Sequence, residues 1–197
     1  MAIGSFQNIS VIGLGKLGSP LAVAMASRGM KVIGVDINKN NVDIINKYAA
    51  DFYEPQFNSL LQYSKHLISA THDYDKAISQ TQISFIVVPT PSLTNGSFSN
   101  KYIYQAIKQI GQVLKTKKSY HLISVISTIV PGSMTHNILP LLEKSAHKKC
   151  GNGFGLCYNP AFVSLGNIIH GFLNPDFVLI GESDTNCGQI LADFYQK

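Results

Sequence analysis

The stretch from Asn8 to Asp36, NISVIGLGKLGSPLAVAMASRGMKVIGVD, limits the fold more than any other part of this chain. Residues 9–12 form an apolar run too short for a helix and rich in β-branched side chains, which predicts a buried strand. Gly13, Gly15 and Gly18 follow in the spacing G-x-G-x-x-G, and Pro20 sits where the first turn of a helix tolerates a missing N–H. Residues 21–27 continue that helix to a stop near Gly29, and residues 31–35 form a second buried strand ending at Asp36. In such a unit the first glycine permits a tight turn, the second lets backbone approach a pyrophosphate, and the third allows close helix–strand packing. The helix N-terminus offers unpaired N–H groups and a partial positive charge to phosphates. Asp36, about 20 residues beyond the turn, is placed to accept hydrogen bonds from both hydroxyls of an adenosine ribose. A carboxylate there repels a 2′-phosphate, so the expected cofactor is NAD rather than NADP. Gly13, Leu14, Gly15, Lys16, Leu17, Gly18 and Asp36 are the candidate cofactor-binding residues.

The 197 residues are 45% hydrophobic and only 14% charged, which predicts a globular fold with a sizeable core and argues against disorder. The net charge of +5 comes from scattered lysines, apart from Lys115, Lys117, Lys118 and the pair Lys148 and Lys149. These read as solvated helix ends; a nucleic-acid surface needs a basic stripe with interleaved aromatics. Cys150, Cys157 and Cys187 are odd in number and show no C-x-x-C or metal-type spacing with histidine. No metal is expected, and a reduced, cytoplasmic setting is. No signal-peptide pattern or membrane-length apolar run is present, so no membrane partner is expected. The sequons at Asn8 and Asn95 read as chance matches.

Further along, helical and strand signals alternate. Asn38 caps a helix to about Tyr48, residues 56–64 form a short helix, 67–71 a strand, and 73–79 a helix. Residues 83–88 form a buried strand, 100–114 a helix, and 121–127 a strand. Pro131 is expected to open a helix with Met134, Ile138 and Leu141 on one side. Residues 154–158 and 177–180 are expected to be strands, and 184–197 a helix. The alternation predicts an α/β fold with a doubly wound, mostly parallel, Rossmann-like sheet.

Ligands on such sheets lie beyond the carboxyl ends of the strands. Pro89-Thr90-Pro91, Ser127-Thr128 and Asn159-Pro160 fall at those ends, and Thr90 and Thr128 bring uncharged hydroxyls suited to a nicotinamide ribose or a water. His66, His72, His121, His136, His147 and His170 are dispersed and lack a metal-ligand pattern. Asp73 and Asp75 read as charge compensation at a helix start.

The ordered set VIGLGKLGSPLAVAMASRG, VIGVDIN, YEP, VPTP, ISTIVPGS and YNPAF…GFLNPDFVLIGESD resembles the N-terminal domain of the UDP-glucose/GDP-mannose dehydrogenase family across almost the whole chain. The resemblance implies NAD-dependent oxidation of a nucleotide-sugar 6-hydroxyl to a carboxylate, with two NAD consumed through a cysteine-bound thiohemiacetal and thioester. It also implies a two-Rossmann enzyme with a long central helix and a dimerising middle region, of which residues 1–183 would be the NAD-binding domain and 184–197 the start of the linking helix. By position, Thr90 would lie near the cofactor and Thr128 would help hold a catalytic water. The stretch Ala161, Phe162, Val163, Ser164 and Leu165 would lie along the nucleotide sugar. The substrate is expected to be UDP-glucose or a UDP-N-acetylhexosamine, with VPTP leaning slightly to the latter.

Four departures from the family pattern stand out. The middle-region lysine and asparagine and the nucleophilic cysteine in Gly-x-Cys are not in this sequence, and Cys157 reads as a small core residue. Ala161 stands where the family motif has the glutamate of Asn-Pro-Glu-Phe, an acid/base or water-orienting group. Loss of such a group costs on the order of 10²–10⁴ in rate. Leu165 replaces a second glutamate, and Asn41 a lysine or arginine. The chain alone is therefore expected to lack turnover. The alternative reading is a stand-alone NAD-binding or pseudo-enzymatic module. A hydroxyacid-type dehydrogenase would need a lysine or histidine base at the strand ends, and none is visible.

Overall fold

The computed structural model describes residues 7–50, 52–94 and 96–196, so the sequon at Asn95 and the last residue of the expected terminal helix fall outside it. Seven strands form one sheet in the order β3-β2-β1-β4-β5-β6-β7. They are β1 (Asn8–Ile12), β2 (Lys31–Val35), β3 (Ile68–Thr71), β4 (Ile83–Ile86), β5 (His121–Val125), β6 (Phe154–Tyr158) and β7 (Gly181–Glu182). The first six pair in parallel, and β7 runs antiparallel to β6 through Tyr158↔Gly181 and Cys157↔Glu182. The expected doubly wound sheet is thus present, and the order reverses between β1 and β4, the place where such sheets bind ligands.

The helices are α1 (Gly18–Ser27), α2 (Lys39–Lys47), α3 (Phe57–Tyr63), α4 (Tyr74–Gln80), α5 (Lys101–Thr116), α6 (Leu139–Ala146), α7 (Ile168–Leu173) and α8 (Thr185–Tyr195). Several boundaries have visible chemical causes. Asn38 accepts a hydrogen bond from the Asn40 N–H at the start of α2, and Tyr48 ends that helix at φ 56°. Asp73 and Asp184 cap α4 and α8 by accepting from the N–H groups of Lys76 and Cys187. Two layers of apolar side chains cover the sheet. One centres on α1, with Leu21, Ala22, Val23 and Met25 against Ile9, Val11 and Phe85. The other centres on α5, with Ile103, Ile107 and Ile110 against Ile86, Ile123 and Leu142. Helix α8 belongs to the first layer through Cys187, Leu191 and Phe194.

Two expectations about elements are corrected. The last strand is not 177–180 but Gly181–Glu182: Phe177 and Leu179 are exposed, and the Asn159 side-chain amide, just past β6, donates to the Leu179 carbonyl. An apolar run alone does not make a strand when no neighbouring strand is available to pair with it. The helix after Pro131 begins instead as a π turn at Met134–Ile138, where the Leu139 N–H reaches back to the Met134 carbonyl. Pro140 follows directly; its ring crowds the preceding turn and it has no N–H to donate, and the widened turn accommodates both. The buried stripe becomes Ile138, Leu142 and Ala146, with Leu141 only half-buried.

A buried polar chain crosses the sheet below its ligand-binding end. Lys117 donates to the carbonyls of Ile78 and Thr81 and to His121 Nδ1 at 3.0 Å. The His121 Nδ1 also lies 3.1 Å from the Thr81 carbonyl, and Nε2 lies 2.7 Å from Ser84 Oγ, which in turn meets Ser10 Oγ at 2.7 Å. Burial, and then the neighbouring Lys117 charge, push His121 down to about 3, so it stays neutral; burial pushes Lys117 down to about 8. Lys117 is therefore not the solvated helix-end cation that its sequence context suggests.

Candidate functional site

The glycine turn shows which part of its chemistry serves the fold. Gly13 has φ +97°, and a Cβ there would lie 2.5 Å from the Val87 carbonyl oxygen. A Cβ on Gly18 would overlap the Gly13 carbonyl oxygen. Both glycines are thus required by the turn and by the closeness of α1 to β1 and β4. Gly15 is different: a Cβ there would meet no protein atom within 4 Å, and its φ lies outside the range that side chains avoid. Nothing in the protein explains its lack of a side chain, whereas a ligand approaching the backbone does.

Helix α1 begins just beyond, with Leu17 at its N-cap and no side-chain cap. The Ser19 and Leu21 N–H groups bond the Gly15 and Leu17 carbonyls and Pro20 has none, so the amides of the turn from Gly15 to Gly18 are the donors that can face a diphosphate. Across the turn, Asp36 is oriented by its neighbours. Its Oδ2 accepts from the Leu14 N–H at 2.6 Å and from Asn41 Nδ2 at 3.0 Å, and its Oδ1 accepts from the Asn38 N–H at 2.7 Å. His72 Nδ1 donates to the Asp36 carbonyl at 2.7 Å, and the residue lines the cavity. Tyr74, half-buried beside the Asp36 charge, is pushed up to about 12 by burial first and then by that charge. Ile37, 83% exposed next to Asp36, presents an apolar surface of the kind a purine covers.

These groups line a cavity of about 1500 Å³ that continues from Asp36 past Gly13, Gly15, Lys16 and Leu17 to Thr90, Thr128 and Ala161. Ser127 joins two of its walls, because its Oγ donates to the Val88 carbonyl at 2.7 Å and so fixes the end of β5 against the end of β4. Thr90 and Thr128 face the cavity, and among the described residues neither hydroxyl has a protein partner. Ala161 also borders a second cavity of about 50 Å³, lined by Phe162, Val163 and Tyr195 among others.

Not every candidate residue reaches the cavity wall. Leu14 turns its side chain into the core against Gly34 and contributes only its amide, which holds Asp36. Gly18 is buried in the helix packing. Ser164 and Leu165 line neither cavity, and Leu165 is 75% exposed. Sequence reading gave no role to Ser127 or His72, and took Asn41 only as the loss of a cation. Gln105, Gln109 and Gln112 of α5, spaced to share one side of the helix, also line the cavity. Glu54 fixes a loop: its carboxylate, 7% exposed, accepts from the Ile169 N–H in the first turn of α7 at 3.1 Å. Cys157 is buried in the core with its sulfur 3.5 Å from that of Cys187, and no cysteine lines the large cavity.

Comparison with known proteins agrees with this geometry. Residues 7–197 match the NAD binding domain of the UDP-glucose/GDP-mannose dehydrogenase family. The chain is 35% identical over 193 residues to GDP-mannose 6-dehydrogenase of Pseudomonas aeruginosa, covering 97% of this chain and 44% of that protein. It is 32% identical to UDP-glucose 6-dehydrogenase of Haloferax volcanii, over 96% of this chain and 44% of the relative. The crystal structure of a ternary complex of the Pseudomonas enzyme superposes with a TM-score of 0.93 over 96% of this chain and 44% of that one. UDP-glucose dehydrogenase of Pyrobaculum islandicum, 30% identical, superposes with a TM-score of 0.90 over 98% of this chain and 45% of that one. The chain thus spans less than half the length of these relatives. With open space over Gly15 and the oriented Asp36 beside it, the chain belongs to the UDP-glucose/GDP-mannose dehydrogenase family, as its NAD-binding domain.

Proposed function

We propose that this chain is the cofactor-holding half of a nucleotide-sugar 6-dehydrogenase, and that a further polypeptide segment completes the reaction centre. The observation that carries the proposal is the single cavity running from Asp36, past Gly15, to Thr90, Thr128 and Ala161. The amides of the glycine turn and the start of α1 would hold the pyrophosphate, and Asp36 the adenosine ribose. Thr90 would lie at the nicotinamide end, Thr128 would position a water, and residues 161–165 would lie along the nucleotide sugar. When bound, NAD supplies the hydride acceptor. In this reading residues 1–183 are the NAD-binding unit and 184–197 start a helix linking it to a dimerising region.

The cavity is chemically uneven. Its titratable residues are Lys16, Asp36, His72, Asp73, Tyr74, Asp75 and Tyr102, whereas Thr90, Thr128 and Ala161 bring none. A proton acceptor for alcohol oxidation and a nucleophilic cysteine must therefore come from elsewhere. The relatives, more than twice as long, have room to supply them. Phe162 and Phe177, each 58% exposed with ring centroids 4.7 Å apart, offer an apolar surface beside Ala161 for such a segment.

Curated relatives at 34–37% identity are GDP-mannose 6-dehydrogenases, and those at 31–32% are UDP-glucose 6-dehydrogenases. That ranking favours GDP-mannose over the UDP-sugars that VPTP suggests, so it is the first substrate to assay. Titration with NAD, alone and with GDP-mannose, UDP-glucose or a UDP-N-acetylhexosamine, should give NAD binding and no NADH. Absence of NAD binding overturns the cofactor role, and NADH formed by this chain alone overturns the need for a second segment. Ala161 also favours a second reading, a binding module without turnover. Ala161→Glu in a fusion to a relative's remaining domains separates the two, since a large gain in turnover supports the enzyme and no gain supports the module.

A further inference from the structure

Asp36 is a crowded acceptor. A carboxylate offers about four in-plane acceptor positions, two on each oxygen. Three are in use, with Leu14 N–H and Asn41 Nδ2 on Oδ2 and Asn38 N–H on Oδ1. Two of these donors are backbone amides fixed by the glycine turn and by the start of α2. The third, Asn41, is a half-buried side chain in the first turn of α2, and rotation about its side-chain bonds can remove it. An adenosine ribose brings two adjacent hydroxyl donors to a carboxylate with one open position.

We infer that Asn41 competes with the adenosine ribose for Asp36, so that two-point ribose binding requires the Asn41 amide to leave Oδ2. This rests on the NAD reading above and adds a residue that tunes it. While Asn41 stays in place, the carboxylate takes one hydroxyl, on Oδ1. Once it leaves, both hydroxyls can be accepted, at the cost of one hydrogen bond between a neutral amide and a charged oxygen. Asn41 thereby weakens the hold on the full diol relative to a ribose bearing a single hydroxyl, while leaving the Asp36 charge uncompensated against a 2′-phosphate.

Calorimetric titration of wild type, Asn41→Ala and Asn41→Ser with NAD and with its 2′-deoxyadenosine analogue tests this directly. Neither substituted side chain carries an amide to place on Oδ2. Both variants should bind NAD about ten- to a hundredfold more tightly than wild type, the net worth of one hydrogen bond to a charged group. The 2′-deoxy analogue has one hydroxyl for the one open position, so its affinity should be the same in all three proteins. NAD affinity that is unchanged or lower in both variants overturns the inference while leaving the NAD reading standing. An equal gain for NAD and the deoxy analogue also overturns it, since the gain would then not depend on the second hydroxyl. Absence of NAD binding by the wild-type chain overturns the underlying reading as well.

Discussion

His121 should give this domain a distinctive sensitivity to acid. The imidazole is fully buried with the Lys117 ammonium 3.0 Å from Nδ1, so a second proton would add a charge in a site closed to water and beside another cation. Its pKa falls to about 3 in the folded protein, against an ordinary value of about 6.5 in the unfolded chain. Between those values the unfolded state binds the proton and the folded state does not. The stabilising contribution is therefore complete above about pH 6.5 and is lost as pH falls towards 3. From pH 7 to pH 5 the loss comes to about 2 kcal/mol for this one group. Lys117, at about 8, remains charged in both states across that window and does not alter the slope. Urea denaturation of wild type and His121→Gln at pH 7 and pH 5 isolates the effect, because the acids common to both proteins cancel in the difference. Wild type should lose about 2 kcal/mol more than the variant over this range. Equal losses would refute the neutral, buried imidazole.

The glycine turn should separate stability from binding. Gly18→Ala places a Cβ on the Gly13 carbonyl oxygen and should cost about 1–3 kcal/mol in urea unfolding. Gly15→Val meets no protein atom at its Cβ and should leave stability within about 0.5 kcal/mol, while reducing NAD affinity at least about tenfold in calorimetry. Glu54→Ala leaves the buried Ile169 N–H without an acceptor and should cost about 1–3 kcal/mol, with protease cleavage near α7 as a second readout.

Much of the fold can be read from local pattern because its decisive features are local. The glycine spacing, the Asn38 cap and the apolar runs of β1, β2, β5 and β6 each act within a few residues, and the structure contains them where the pattern puts them; Asp73 and Asp184, read only as helix starts, also cap α4 and α8. What escaped the pattern depends on distant partners. Residues 177–180 have the apolar character of a strand, yet β6 pairs with Gly181 and Glu182 instead. Lys117 sits in a lysine-rich sequence, but two carbonyls and an imidazole from other elements draw it inward. Glu54 meets a backbone amide 115 residues away, a contact that no spacing rule supplies. At the site, the pattern singled out Thr90 and Thr128 and the family resemblance Ala161, which share one cavity, but neither gave a role to Ser127, whose hydroxyl fixes two strand ends together. Asn41 was visible only as a missing cation, and its contact with Asp36 follows from how α2 begins.

The account depends most on Asp36 being a charged ribose acceptor held beside the glycine turn. Parallel calorimetric titrations of the chain with NAD and with NADP test this directly. NAD should bind, and NADP should bind at least about tenfold more weakly, because its 2′-phosphate would be placed against a carboxylate. The variant Asp36→Ala should narrow that gap by weakening NAD and relieving the repulsion on NADP. Equal affinity of the wild-type chain for the two dinucleotides would contradict the role assigned to Asp36, and with it the orientation of the cofactor in the cavity.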